Sequence, residues 1–409
     1  MDYGSSHFGG ELKYKSRLKG NRREFLRLSG MAGGAAIAGF PDIFALESQN
    51  RQAPNEDNFA GGKQLGTLDF VDESRLPLDI LMGAELDGRL FSDLSKFSPE
   101  NPFPSAEVFY VRTRASDLLT NQEDWRIEVH GLVEKPINLR TDDLRKSVRP
   151  AGLHLMECSG NTRATRFGLL SVADWSGVPV SAILEPCKPR RKATRVVISG
   201  FDRYSASSTT SVVGADWVFT LEQLQAANAF LATAINGQPL TPDHGAPVRL
   251  IVPGWYGCAC IKWVNGIRLV DDEVEATSQM QEFAGRTHQQ GIPKLARDYR
   301  PATIDQAAMP TRVEKWLVGG KIKYRVVGIL WGGSRLVKSL EIRFNLDEDY
   351  VPVDSFLQTY NDPWSFWSHA WMPKSPGIYM IRLRVVDKVV ESRRLDSGHY
   401  VRSVEVTEV

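Results

Sequence analysis

The chain has 409 residues, 42% hydrophobic and 24% charged, with a formal net charge of +1. That length allows about two globular domains with cores of ordinary size, at roughly 100–200 residues each. The near-neutral balance excludes a surface built for nucleic acid or anionic lipid, and the four cysteines, Cys158, Cys187, Cys258 and Cys260, are too few for a disulfide scaffold.

At the N-terminus, Arg22 and Arg23 stand just before Phe25-Leu26 and a Gly/Ala-rich run over 28–40. This run of roughly 13 residues is shorter than the about 20 that span a bilayer, so stable membrane insertion is not expected. An amphipathic helix is the plain reading. Paired arginines before bulky apolar residues and a Gly/Ala run instead resemble a twin-arginine export signal. That resemblance implies a signal over 1–45, a periplasmic or otherwise exported protein, and a cofactor inserted before export of the folded chain. Residues 46–80 read as a polar linker and N-terminal extension.

A short helix is expected over 90–97, then strands over 107–113, 125–130 and 153–156, where β-branched and aromatic residues concentrate. The strand over 153–156 leads into Glu157-Cys158-Ser159-Gly160-Asn161, a turn by composition. Further on come a strand over 195–199, a helix over 221–227 with Thr220 as N-cap, and apolar runs over 246–252 and 261–270 flanking a Gly/Pro/Cys loop. After about residue 290 the pattern changes to short strands over 324–331, 337–344, 379–386 and 400–406, separated by Gly/Pro turns, which argues for a β-sandwich. Trp364, Trp367 and Trp371 read as sandwich core or inter-domain packing.

Cys158 is the sharpest chemical feature. A lone cysteine on an apolar strand is usually a small core residue. This one opens a turn with Arg163 and Arg166 close by, a setting that favours a thiolate and hence a soft metal ligand. His244 and Arg249, in a Pro/Gly-crowded stretch, suit an anionic phosphate, although His244 could simply pin the loop. The peptide groups before Lys262 could cradle an anion beside its charge. The Cys258-Ala259-Cys260 pair is too tight for a zinc knuckle, and no CxxCH haem attachment is present, so an electron partner would be another protein.

Three ordered blocks, Phe109-Tyr110-Val111-Arg112, Glu157-Cys158-Ser159-Gly160-Asn161-Thr162-Arg163, and Asn236-Gly237-Gln238-Pro239-Leu240 through His244 and Arg249 to Lys262-Trp263, resemble the sulfite oxidase family of molybdopterin enzymes over about residues 80–409. The resemblance implies an α+β fold: a mixed α/β molybdopterin-binding domain over 81–290, then a C-terminal immunoglobulin-like β-sandwich over 291–409 that serves dimerisation. It implies a molybdenum-molybdopterin cofactor with Cys158 as the protein ligand of the metal. Arg112 and Arg163 would meet the substrate anion. Tyr110, Val111, Arg112, Thr113, Arg114, Asp202, His244, Arg249, Cys260, Ile261 and Lys262 would hold the cofactor. Partners would be a small oxyanion or sulfur-oxide substrate and an external electron carrier such as a cytochrome, in a homodimer or a heteromer with a haem subunit.

The sequence departs from the sulfite-oxidising pattern at Phe283, where counting from Lys262 places a tyrosine in those members, and at Thr113-Arg114. Phenylalanine donates no hydrogen bond. Three functions follow: oxygen-atom transfer to or from an oxidised sulfur compound, an S-oxide or N-oxide reductase on the same cofactor, and a binding subunit that keeps the fold without the cofactor.

Overall fold

Two five-stranded sheets frame the first half of the protein and two further antiparallel sheets the second. The computed structural model describes residues 56–114, 124–201, 215–356, 363–387 and 389–409. Arg22, Arg23, the run over 28–40 and Asp202 lie outside them. Among the described residues no helix is long and apolar enough to cross a membrane. Helices are few and short, so the class is α+β with strands dominant.

The first sheet runs Arg249–Ile251, Phe230–Ile235, Leu170–Pro179, Arg149–Glu157, with Gln238–Pro239 also pairing Phe230–Ile235, all antiparallel. Its edge strand Arg149–Glu157 is longer than the expected 153–156 and ends one residue before Cys158. The second sheet runs Ile137–Arg140, Arg126–Gly131, Val264–Val270, Arg195–Gly200, Asp216–Thr220, with Val264–Val270 parallel to Arg126–Gly131. The helix Leu221–Ala226 starts where expected: the Thr220 hydroxyl accepts from Gln223 N at 3.0 Å and the Gln223 side chain accepts from Thr220 N at 2.9 Å. That reciprocal cap satisfies two end donors and is worth about 1 kcal/mol.

The expected strand over 107–113 does not form. Ala106–Val108 is a 3-10 turn, and only Val111 pairs, as a single bridge with Leu90. Its apolar residues are buried by tertiary packing instead: Phe109 stacks on Tyr110 and meets Trp175 edge-on. The helix over 90–97 shrinks to the 3-10 turn Leu94–Lys96.

In the second half, Lys63–Leu68, Ala307–Val318, Lys321–Trp331, Trp364–Trp371 and Ser355–Phe356 form one sheet, and Val351–Pro352, Leu340–Arg343, Gly377–Val385 and Arg402–Val406 the other. Trp371 joins them, with ring centroids 4.2 Å from Phe344 and 4.9 Å from Tyr379. The stretch expected as linker is therefore partly structural: Lys63–Leu68 pairs antiparallel with Ala307–Val318. Just beyond it Phe70 bridges Val404, and Glu73 forks onto Arg402 with both contacts at 2.6 Å. Residues Gln52–Val409 thus form one compact unit.

Candidate active site

A cavity of about 540 Å³ opens where the end of Arg149–Glu157, the segment 110–113 and the loop 253–263 converge. That volume lies within the range typical of cofactor and ligand pockets. Close approach requires Gly257: a Cβ there would stand 2.7 Å from the Tyr110 hydroxyl oxygen. Its N–H donates to the Glu157 carbonyl at 2.7 Å, tying the loop to the strand that delivers Cys158.

Cys158 lines the cavity and is buried. Burial pushes its thiol pKa up, while Arg112, the Gly160 N–H at 3.4 Å and Arg286 pull the other way. The thiol is thus poised for a partner that ionises it, which a bound metal does outright. Among the described residues no group of three or more His, Cys, Asp or Glu could hold a metal ion. A single thiolate suits a metal that brings most of its other ligands with it.

The rest of the wall is cationic. Arg112, Arg249, Lys262 and Arg286 line the cavity, against Asp243 and Glu282. Arg249 is buried and donates to the His244 carbonyl at 3.1 Å, the Met156 sulfur at 3.2 Å and the Cys260 carbonyl at 3.4 Å. Its buried Nε has no acceptor among the described residues. Burying a charge without a counter-charge is costly, so an anionic pterin fits this wall chemically. Lys262 donates to the Thr113 and Asp243 carbonyls and lies 4.2 Å from the Trp263 ring centroid.

Of the residues expected at the site, Tyr110, Arg112, Thr113, Cys158, Arg249, Cys260, Ile261 and Lys262 come together around the cavity. Val111 is buried behind it, pairing with Leu90, and Arg114 bonds Asp243 at 3.1 Å. His244 turns away from the cavity. Its Nε2 donates to the Phe109 carbonyl at 2.9 Å and its Nδ1 accepts from the Thr241 hydroxyl at 2.7 Å. Both ring nitrogens are engaged, and burial lowers the pKa to about 4, so this histidine pins the Phe109 segment and stays neutral. Arg163 also leaves the pocket. The 3-10 turn Arg163–Thr165 aims it at Asp72, 2.7 Å away, and at the Val401 carbonyl, 2.6 Å away.

Sequence reasoning missed Arg286, Gln279, Glu282 and Cys258 in the wall; Phe283, located by counting from Lys262, lies among them. It also missed the support behind Cys158. Glu157 is fully buried and accepts from Trp331 Nε1 and the Tyr400 hydroxyl, each at 2.9 Å, with Arg394 3.8 Å away. Arg394 in turn donates to the Ser159 carbonyl at 2.7 Å and the Arg286 carbonyl at 2.8 Å. Burial works against the Arg394 charge, but Glu157, Tyr256 and Tyr400 outweigh it and raise its pKa above the usual arginine value.

Comparison with known proteins agrees with this geometry. Residues 115–278 match the oxidoreductase molybdopterin binding domain. The NADPH nitrate reductase of Aspergillus niger is 31% identical over 194 residues, 44% of this chain and 22% of that protein. The mitochondrial sulfite oxidase of Rattus norvegicus is 26% identical over 282 residues, 62% of this chain and 50% of that protein. These matches span between about a fifth and a half of the relatives' own length. The solved sulfane dehydrogenase SoxCD from Paracoccus pantotrophus shares the fold, with a TM-score of 0.59 and 17% identity over 90% of this chain and all of that chain. The matched segment, together with the thiolate-bearing, cation-walled cavity, marks an oxidoreductase molybdopterin-binding domain in this chain. A sulfite oxidase and several nitrate reductases stand among its relatives, and the domain that this chain shares with them implies a molybdenum-molybdopterin cofactor.

Proposed function

We propose that this protein transfers an oxygen atom to or from a small oxidised sulfur compound and exchanges electrons with an external carrier. The observation that carries the reading is the placement of Cys158 and Arg112 in one cavity whose other cations can hold a pterin. Cys158 would hold the metal. Arg249, Lys262 and the peptide groups of Cys260 and Ile261 would hold the pterin. When bound, the molybdenum centre supplies oxygen-atom transfer and takes up two electrons. Arg112 offers a planar fork to an anionic oxygen. Burial pushes the Tyr110 pKa well up, so its hydroxyl keeps its proton and acts as a donor. In the oxidative direction the sulfur gains one oxygen from water, the two protons of that water go to solvent, and the two electrons lost by sulfur go to the carrier.

The reverse reaction, reduction of an S-oxide or N-oxide, is favoured by one observation: Phe283 gives the cavity an apolar wall where an organic substituent could rest. Metal analysis and paired dye assays separate the readings. Purified protein expressed with cofactor supply is expected to hold about one molybdenum per chain, as one Cys158 site requires, and to reduce an acceptor dye with sulfite or thiosulfate. Stoichiometric zinc or iron in its place would overturn the proposal, and sulfoxide-dependent dye oxidation alone would establish the reverse direction.

The N-terminal arginines support export, and substitution of Arg22 and Arg23 together by lysine is expected to leave precursor in the cytoplasm. Residues 81–290 serve as the cofactor-binding part and 291–409 as an assembly part, in a homodimer or with a haem subunit.

A further inference from the structure

Arg286 is the cavity cation that neither the motifs nor their spacing indicate. It sits on the 3-10 turn Ala284–Thr287, exposed at the cavity rim, with its guanidinium 5.3 Å from the Phe283 ring centroid. Among the described residues no carboxylate lies within ion-pair distance of it, even though Glu282 lines the same cavity. Its backbone is fixed at both ends: its N–H donates to the Phe283 carbonyl at 3.0 Å, and its carbonyl accepts from Arg394 at 2.8 Å.

Gly160 shows where the guanidinium points. A Cβ added there would stand 3.7 Å from the Cys158 sulfur and 3.8 Å from Arg286 Nη1. A space one methyl group wide is therefore bracketed by the thiol and this guanidinium. Arg163 cannot reach that space while it is tied to Asp72 and the Val401 carbonyl.

We propose that Arg286, together with Arg112, binds the anionic oxygens of the substrate, and so determines specificity in the place that the sequence resemblance gives to Arg163. The inference rests on the reading of this cavity as the substrate site. A guanidinium with no carboxylate partner loses little hydration at the rim and gains a charge-assisted fork when an oxyanion arrives. Its aromatic seat restricts the rotamers it must otherwise give up. A rim position also favours substrates that place an anionic group outward from the reacting sulfur, such as a sulfonate carried on a second sulfur atom.

The test uses molybdenum-loaded protein and sulfate, an inert tetrahedral dianion, with binding measured by titration calorimetry. Arg286→Gln is expected to weaken sulfate binding on the order of 10- to 100-fold, the span of one charge-assisted hydrogen bond. Arg286→Lys should recover part of the loss, because the charge remains and the fork does not. Arg163→Gln should change binding by less than about threefold, as for a partly exposed ion pair outside the site. Molybdenum content should stay equal across the set. Failure of wild-type protein to bind sulfate, unchanged binding by Arg286→Gln, or a larger loss in Arg163→Gln would each overturn the assignment. Arg286-dependent sulfate binding in a protein that turns over no sulfur compound would overturn the proposed reaction and leave the assignment standing.

Discussion

Replacing Arg394 by methionine keeps an unbranched apolar stem and deletes every donor at the tip. Four contacts go with it: the 2.7 Å bond to the Ser159 carbonyl, the 2.8 Å bond to the Arg286 carbonyl, the ion pair to Glu157 at 3.8 Å, and the cation–π contact with the Tyr256 ring at 4.6 Å. The dominant loss is electrostatic. Glu157 is fully buried, and without its cation it keeps only the Trp331, Tyr400 and Asn161 donors. Breaking one side of a buried pair costs about 3–5 kcal/mol. For a unit of this size that corresponds to a fall in Tm of roughly 4–7 °C. The double variant Arg394→Met with Glu157→Gln removes the stranded charge, and it should be more stable than Arg394→Met alone, by a coupling of about 1–3 kcal/mol in a double-mutant cycle. Release of the Ser159 carbonyl should also loosen the turn that presents Cys158. In cofactor-free protein, alkylation of Cys158, followed by peptide mass mapping, should then be faster than in wild type. Additive effects in the cycle, or an unchanged Tm in Arg394→Met, would refute the reasoning and reduce the contact to a surface pair.

Cys158→Ser should leave a folded protein without turnover, because serine is a hard and poorly ionised ligand; Cys187→Ser, buried at a distance from the cavity lining, should be nearly silent in the same dye assay. Phe283→Tyr adds one donor to the wall, and at about 1.5–3 kcal/mol for a charge-linked hydrogen bond it should raise sulfite turnover by about one decade; brisk wild-type turnover unchanged in the variant would count against this. His244 titrates at about 4 in the folded protein, below the unfolded value of about 6.5. The unfolded state therefore binds more protons between these values, and stability is present above pH 6.5 and is lost as pH falls towards 4, by on the order of 3 kcal/mol. A His244→Gln variant should show a flatter decline of Tm across that window, and an identical decline would exclude His244 as the source.

The parts of the site carried by contiguous motifs were legible in the sequence. Cys158 follows an apolar strand, and Arg249 and Lys262 flank the Gly/Pro/Cys loop. Arg286 was not legible, because its position depends on a 3-10 turn packed across the cavity and on a carbonyl bonded from Arg394. Where Arg163 points was not legible either, because the motif fixes its spacing from Cys158 and does not reveal the ion pair it makes with Asp72. Among the strands, Arg195–Gly200 and Arg402–Val406 follow from dense β-branched residues. Leu170–Pro179 carries Ser, Asp, Gly and Pro yet runs between two partners in its sheet. Ala307–Val318 contains Pro310, accommodated at a register shift between Pro310 and Arg312, the position at which a strand tolerates proline. The three tryptophans 364, 367 and 371 have helical spacing but lie on a strand, where Trp364 reaches the Pro102 carbonyl and Trp371 joins the two sheets.

The pairing of Lys63–Leu68 with Ala307–Val318, and the clasp of Phe70 and Glu73 on Arg402–Val406, make the contacts that close this unit strongly non-local. The strand Lys63–Leu68 pairs only with residues some 240 positions further along, and the Glu157 carboxylate meets Arg394 and Tyr400 at a similar separation. Closing so long a loop is slow and leaves strand edges open meanwhile. The buried carboxylate behind Cys158 thus depends on Arg394 and Tyr400, more than 230 positions further along the sequence, although the cavity wall itself is built from residues 110–286.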